Sequence, residues 1–196
     1  MKLIPKVSLP ESKKGSWSIE YFTISEADAD IYNMRSAFSF SSKERSVSPG
    51  DFTRLLRNNK TIMTDTKSEI ADHREPVRRA SGNVLIAGLG LGVVLQACLL
   101  KEEVEKATVI ELSTDVIDLV APHYTERFGS RFEVINADIF NWKPPKGERY
   151  NMAWYDIWDN ICGDNYEGMK ELHRKFGRRV DWQGSWCKDE CRRLSK

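Results

Sequence analysis

Apolar residues in this chain fall into short blocks whose spacing changes along its length. Trp17, Ile19, Tyr21 and Thr23 alternate with Ser18, Glu20 and Phe22, the period of a strand. Asp51–Arg57 reads as a short helix and Lys60–Thr64 as a short strand. A helical stretch follows from Lys67 to Ala80, with a break expected at Pro76, and Ser81-Gly82 supplies a hinge. From there strands and helices take turns. Strands are predicted over Asn83–Ala87, Thr108–Leu112, Arg131–Asn136 and Asn151–Tyr155, and helices over residues 91–102, 114–127 and 164–176. Val84-Leu85-Ile86 is unbroken and apolar, as a strand buried on both faces requires. This rhythm predicts an α/β protein with a doubly wound, Rossmann-like parallel sheet and helices on both faces. After Gly177 only Val180–Trp186 could add a strand, so the sheet is expected to be truncated at its far edge. Residues 1–16 are polar, carry Pro5, Pro10 and Gly15, and read as a loose arm. Residues 39–50 read as a serine-rich loop ending in a Pro49-Gly50 turn. Two units are expected: an extension over residues 1–80 and the Rossmann-like domain over residues 81–196.

Composition narrows the function classes. The chain has 196 residues, enough for a sizeable core without disulfides or metals. Its formal net charge of +1 offers no global field for nucleic acid or an anionic membrane. No apolar run approaches a membrane span, and the N-terminus lacks a signal-peptide core, so a cytoplasmic location is expected. Cys98, Cys162, Cys187 and Cys191 are scattered and read as reduced thiols, with no metal site expected.

The chemistry concentrates where strands end. Gly88, Gly90 and Gly92 remove side chains where the first strand of the domain turns into a helix, letting backbone approach a nucleotide. Glu111 ends the next strand about 20 residues on, the interval at which an acid reaches ribose hydroxyls. Asp138 and Ile139 follow the third strand, suited to an adenine amino group and ring. Asp156 and Asp159 follow the fourth. Each acid alone reads as a helix cap or a solvated residue; four in order behind a glycine loop read as one crevice. Trp158, in the same loop, is a candidate substrate contact. His173, Arg174, Lys175, Arg178 and Arg179 read as a solvated helix end. Trp182 and Trp186 read as a cap on the sheet edge or an oligomer contact, a homodimer among the options.

On these motifs, Asn83–Asn160 resembles the class I S-adenosylmethionine-dependent methyltransferase fold, and within it the spermidine synthase-like aminopropyltransferases. The resemblance implies a cofactor loop at Gly88–Gly92, a ribose-binding acid at Glu111 and an adenine-binding aspartate at Asp138. It implies an aspartate pair at Asp156 and Asp159, the first acting as catalytic acid/base. Thr61–Glu75 is similar to the segment that leads that family's core, which makes Asp65 and Glu69 candidate substrate contacts. The chain departs from the family at Thr66, Glu69 and Asn160, and lacks its Tyr-His-Glu element. The run from Asp156 to Asn160 is more similar to small phage-type methyltransferase-like proteins. The implied activity is methyl transfer from S-adenosylmethionine to an unidentified acceptor. The alternatives are aminopropyl transfer from decarboxylated S-adenosylmethionine, and a nucleoside-binding protein without catalysis. The amino-methylating Asn-Pro-Pro-aromatic motif of nucleic-acid enzymes does not follow the fourth strand, so a small-molecule acceptor is expected over nucleic acid.

Overall fold

The computed structural model describes residues 4–38 and 46–196. Four strands, β1 (Ser12–Lys14), β2 (Trp17–Ile24), β3 (Gly50–Arg57) and β4 (Lys60–Thr64), form an antiparallel sheet in that order. α1 (Glu26–Phe38) follows β2; most of the serine-rich stretch predicted beyond it, residues 39–45, lies outside the described residues. β3 corrects the short helix expected at Asp51–Arg57. It pairs with β2 along all eight residues and turns into β4 through Asn58-Asn59, both at positive φ, as a two-residue hairpin requires. A register shift between Leu55 and Leu56 gives its apolar residues Phe52, Leu55 and Leu56 a helix-like spacing within the strand.

The N-terminal arm is not loose. Ile4, Val7 and Leu9 are buried, and Leu9 shares a hydrophobic cluster with Ile19, Leu55, Val84 and Ile86. Asp65 ties the arm down. Its carboxylate, buried, accepts from the Thr53 N–H at 2.7 Å and from the Val7 N–H at 3.2 Å. Gln96, also buried, donates to the Lys6 carbonyl at 3.0 Å.

Two short helices, α2 (Lys67–Asp72) and α3 (Arg74–Arg79), replace the single helix expected, and the break is at His73. Pro76 explains this. It has no N–H for the Asp72 carbonyl and its ring would press on that carbonyl, so the chain must restart before it. Pro76 then sits in the first turn of α3, where no N–H is needed.

The remaining strands are β5 (Gly82–Ala87), β6 (Val104–Glu111), β7 (Phe132–Asn136), β8 (Tyr150–Tyr155) and β9 (Val180–Ser185). They form a five-stranded parallel sheet in the order β7-β6-β5-β8-β9. α4 (Val93–Leu99), α5 (Thr114–Phe128), α6 (Asn165–Phe176) and α7 (Lys188–Leu194) complete the chain. Both sheet faces are buried, by alternation. Val84 and Ile86 pack with α4, α5 and the N-terminal sheet; Leu85 and Ala87 pack with Leu172 and Phe176 of α6. The basic cluster expected to be solvated is largely engaged. Lys175 donates to the Ile139 and Phe140 carbonyls at 2.9 and 2.6 Å, Arg179 reaches the Pro145 carbonyl at 3.2 Å, and the His173 ring meets the Ser185 hydroxyl at 3.0 Å.

Asp65→Ala removes the shared acceptor of two buried backbone amides. The expected loss is about 2–4 kcal/mol of unfolding free energy, measured by urea titration; a loss below about 0.5 kcal/mol, the scale of a neutral surface change, would contradict this role for Asp65.

Candidate functional site

The strand register places the chemistry. Ile135, Ile110, Ala87 and Tyr155 lie in one row across neighbouring strands. The next residue or two on each strand therefore leave the sheet at one edge. Backbone bonds prolong the row: Gly88 N–H to Ile110, Asp156 N–H to Ala87 and Ala137 N–H to Glu111, each at 2.9–3.0 Å. β5 runs on to β6 and β7 on one side, while β8 and β9 lie on the other, so strand order reverses at the β5–β8 boundary. A cleft opens there, as expected for sheets of this topology. Its volume is about 440 Å³, within the range of small-molecule sites.

Gly88, Gly90, Glu111, Asp138, Ile139, Glu69, Asp156, Trp158 and Asp159 all line the cleft. Gly92 and Asp65 do not. Gly92, at φ +74°, faces Tyr124, whose ring occupies the space a Cβ would take and whose hydroxyl donates to the Leu91 carbonyl at 2.7 Å. Its glycine is required by α5 packing. Gly88, at φ +93°, is required by the Asp156 carbonyl oxygen, which a Cβ would overlap. Asp65 is spent on the backbone amides described above.

Glu111 clamps two turns. One oxygen accepts from the Leu89 N–H at 2.7 Å and the other from the Ser113 N–H at 2.8 Å. Ser113 in turn caps α5 through the Val116 N–H. Each carboxylate oxygen keeps a second lone pair for a ligand. Asp138 is held in the same way, accepting from the Phe140 N–H at 2.9 Å and the Asn141 amide at 2.7 Å. Ile139 is buried, and the Lys175 ammonium fixes its carbonyl from behind.

Asp156 is the perturbed acid. Burial pushes its carboxyl up to about 7, and Glu69 and Asp72 on α2 add to the rise. The Trp154 indole N–H makes no full hydrogen bond, but it lies near enough to Asp156 to draw that value slightly down. Asp159 is ion-paired with Arg57 of β3, and the Arg57 guanidinium also lies over the Trp17 ring. Glu69 accepts from both the backbone and the hydroxyl of Thr64.

Four lining residues were not singled out from sequence, Trp17, Arg57, Met63 and His73, and Trp186, read there as a cap on the sheet edge or an oligomer contact, also lines the cleft. The N-terminal sheet supplies three of them and forms a wall of the cleft. Met63 lies over Gly90, where a Cβ would come within 2.6 Å of its sulfur, and that sulfur accepts the Leu91 N–H at 3.4 Å. No local signal joins Arg57 to Asp159 or Met63 to Leu91, since each pair meets only through tertiary packing. Trp186 has a polar anchor, its indole N–H donating to Asp72 at 3.1 Å. It is packed against the core.

No protein-family model matches the chain, and no curated protein matches it. Solved structures overlap part of it. The 23S rRNA methyltransferase ErmE is 17% identical, with 59% of this chain and 44% of that one covered and a TM-score of 0.45. A putative RNA methyltransferase from Pyrococcus horikoshii is 15% identical over 66% of each chain, at a TM-score of 0.49. Coclaurine N-methyltransferase, bound to N-methylheliamine and SAH, is 20% identical over 58% of this chain and 33% of that one, at 0.44. The overlap with this chain spans less than two thirds of each of these proteins. At such TM-scores the likeness decides nothing about activity.

The Asp156 carboxyl has a testable consequence for stability. Its folded-state value is raised, so the native state binds the extra proton between about pH 4 and 7, and stability falls as pH rises through that window. Asp156→Asn removes the buried charge. It should stabilise the fold by about 2–4 kcal/mol at pH 8 and by little near pH 4, read from thermal melts across pH. Equal melting shifts at both pH values would contradict a raised carboxyl.

Proposed function

We propose that the chain is an S-adenosylmethionine-dependent transferase that methylates an amine-bearing small molecule. The convergence of Glu111, Ile139 and Asp156 on one cleft at the strand-order reversal carries this reading. The residues present fit the cofactor. Glu111 keeps lone pairs beside the glycine turn for ribose hydroxyls, Ile139 offers an apolar face to a base, and Asp138 is an acceptor at its edge. Bound S-adenosylmethionine supplies an electrophilic methyl on a sulfonium, so the protein's share is alignment, water exclusion and handling of one proton.

The acceptor class follows from charge. Among the described residues, five carboxylates line the cleft (Glu69, Glu111, Asp138, Asp156 and Asp159) against one arginine, Arg57, which is paired. Such a lining repels a phosphate backbone and attracts a protonated amine. Asp156, near neutrality in its proton affinity, is suited to take the proton of an attacking nitrogen, and Asp159 holds the Arg57 wall in place. Trp158, with Trp17 across the mouth, supplies aromatic walls. Described residues include no helix long and apolar enough to cross a membrane.

A second reading rests on the same acids. Gly88, Leu89 and Gly92 donate their N–H groups within the protein, leaving few donors for a carboxylate tail, and the acids would welcome an ammonium tail instead. That is the charge pattern of decarboxylated S-adenosylmethionine and aminopropyl transfer. Calorimetry separates the two. S-adenosylmethionine and S-adenosylhomocysteine are expected to bind, with affinity lowered at least about tenfold, or 1.4 kcal/mol, by Glu111→Gln. Marked preference for the decarboxylated form would move the assignment to aminopropyl transfer, and no heat with any of them would remove the cofactor class.

A further inference from the structure

We propose that His73 is the charge partner of Asp156 and a positioning residue of the cleft, the two side chains holding one proton between them beneath the acceptor. The proposal deepens the transferase reading and rests on it only for the acceptor's place. His73 Nε2 lies 3.9 Å from Asp156 Oδ2, on a ring that is 2% exposed. That separation is too long for a hydrogen bond and just within ion-pair distance, so the coupling is coulombic and answers to charge. The ring cannot readily move away. It sits at the α2–α3 break, its carbonyl accepts the Val77 N–H at 3.2 Å, and its edge packs at 90° on Trp154, centroids 6.2 Å apart.

The surroundings make the pair responsive. Glu69 and Asp72 of α2 face Asp156 and oppose its ionisation. Trp186 and Cys187, in the turn between β9 and α7, fix Asp72 through an indole N–H and a thiol. The Arg57–Asp159 pair stands on the same lining, bridging β3 and the loop after β8. Three carboxylates and one imidazole in a poorly hydrated site cannot all carry charge. A protonated His73 lets Asp156 stay anionic; a neutral His73 leaves Asp156 protonated. With His73 protonated, an acceptor nitrogen can break its N–H bond, the proton forming an O–H bond on Asp156 and the electron pair remaining on nitrogen as the nucleophile. His73 then decides how much of the protein is in the competent charge state.

The chain has three histidines, His73, His123 and His173, so ring resonances can be followed one by one. His173 is held down to about 4 by burial and by Lys188, and is separable. The test is an NMR pH titration of the His73 ring in the full chain, wild type against Asp156→Asn, with Asp156→Ser as a second variant should the amide disturb packing. The His73 midpoint is expected to fall by about one pH unit or more, a tenfold loss of proton affinity, while His123 does not move and Asp159→Asn leaves His73 unchanged. A His73 midpoint unaltered in a folded Asp156 variant would overturn the proposal. S-adenosylhomocysteine is added in a parallel wild-type sample. Absence of binding there, with the midpoint still shifted by Asp156→Asn, would refute the transferase reading and leave the charge pair standing.

Discussion

Glu111 joins the two turns that shape the cleft. The glycine turn after β5 and the N-terminus of α5 come from consecutive strand–helix units, and nothing in a parallel ladder obliges their loops to meet. One carboxylate accepting from the Leu89 and Ser113 amides brings them together. Both amides would otherwise lack partners at a part-buried edge, so the bonds settle a local need. They also aim the remaining lone pairs inward. Tyr124 props the same turn from behind, through the Leu91 carbonyl and the space left by Gly92. In the proposed reading, the geometry offered to a ribose is a by-product of how two loops are held.

That dual use explains which parts were legible in the sequence. The apolar run at Val84–Ile86 was readable because a strand buried on both faces imposes it locally, and the acids were readable because each directly follows such a strand. The glycines were readable as a tight turn, but not the reason for each one. Gly92 answers to Tyr124 and Gly88 to the Asp156 carbonyl, contacts set by tertiary packing. Asp65 was a candidate substrate contact because Thr61–Glu75 resembles the segment that leads the aminopropyltransferase core, while the fold spends it on Thr53 and Val7. β3 hid behind a register shift, although Asn58-Asn59 between Arg57 and Lys60 was a hairpin signal that outweighed it. The buried arm hid because Ile4, Val7 and Leu9 are spread among lysines and prolines, and their burial depends on partners up to ninety residues away.

The wall built by the N-terminal sheet is what makes the site particular to this chain. A glycine turn and strand-end acids can serve any nucleoside. Arg57, Met63 and Trp17 come from the antiparallel sheet and line one wall of the cleft. They wall the cleft from one side with an aromatic ring, a thioether and a paired guanidinium, while burial and the α2 acids Glu69 and Asp72 push the Asp156 carboxyl upward. In the proposed reading, a carboxyl raised in this way is suited to take a proton from the acceptor.

The central claim is that one cleft, organised by Glu111, holds a nucleoside cofactor with its reacting end toward Asp156. A crystal structure of the protein with S-adenosylhomocysteine tests it most directly. The account predicts the ribose against Glu111, the base against Ile139, and the sulfur on the side of Asp156 and Trp158. A ligand seated elsewhere, or one in the cleft with its ribose away from Glu111, would contradict it.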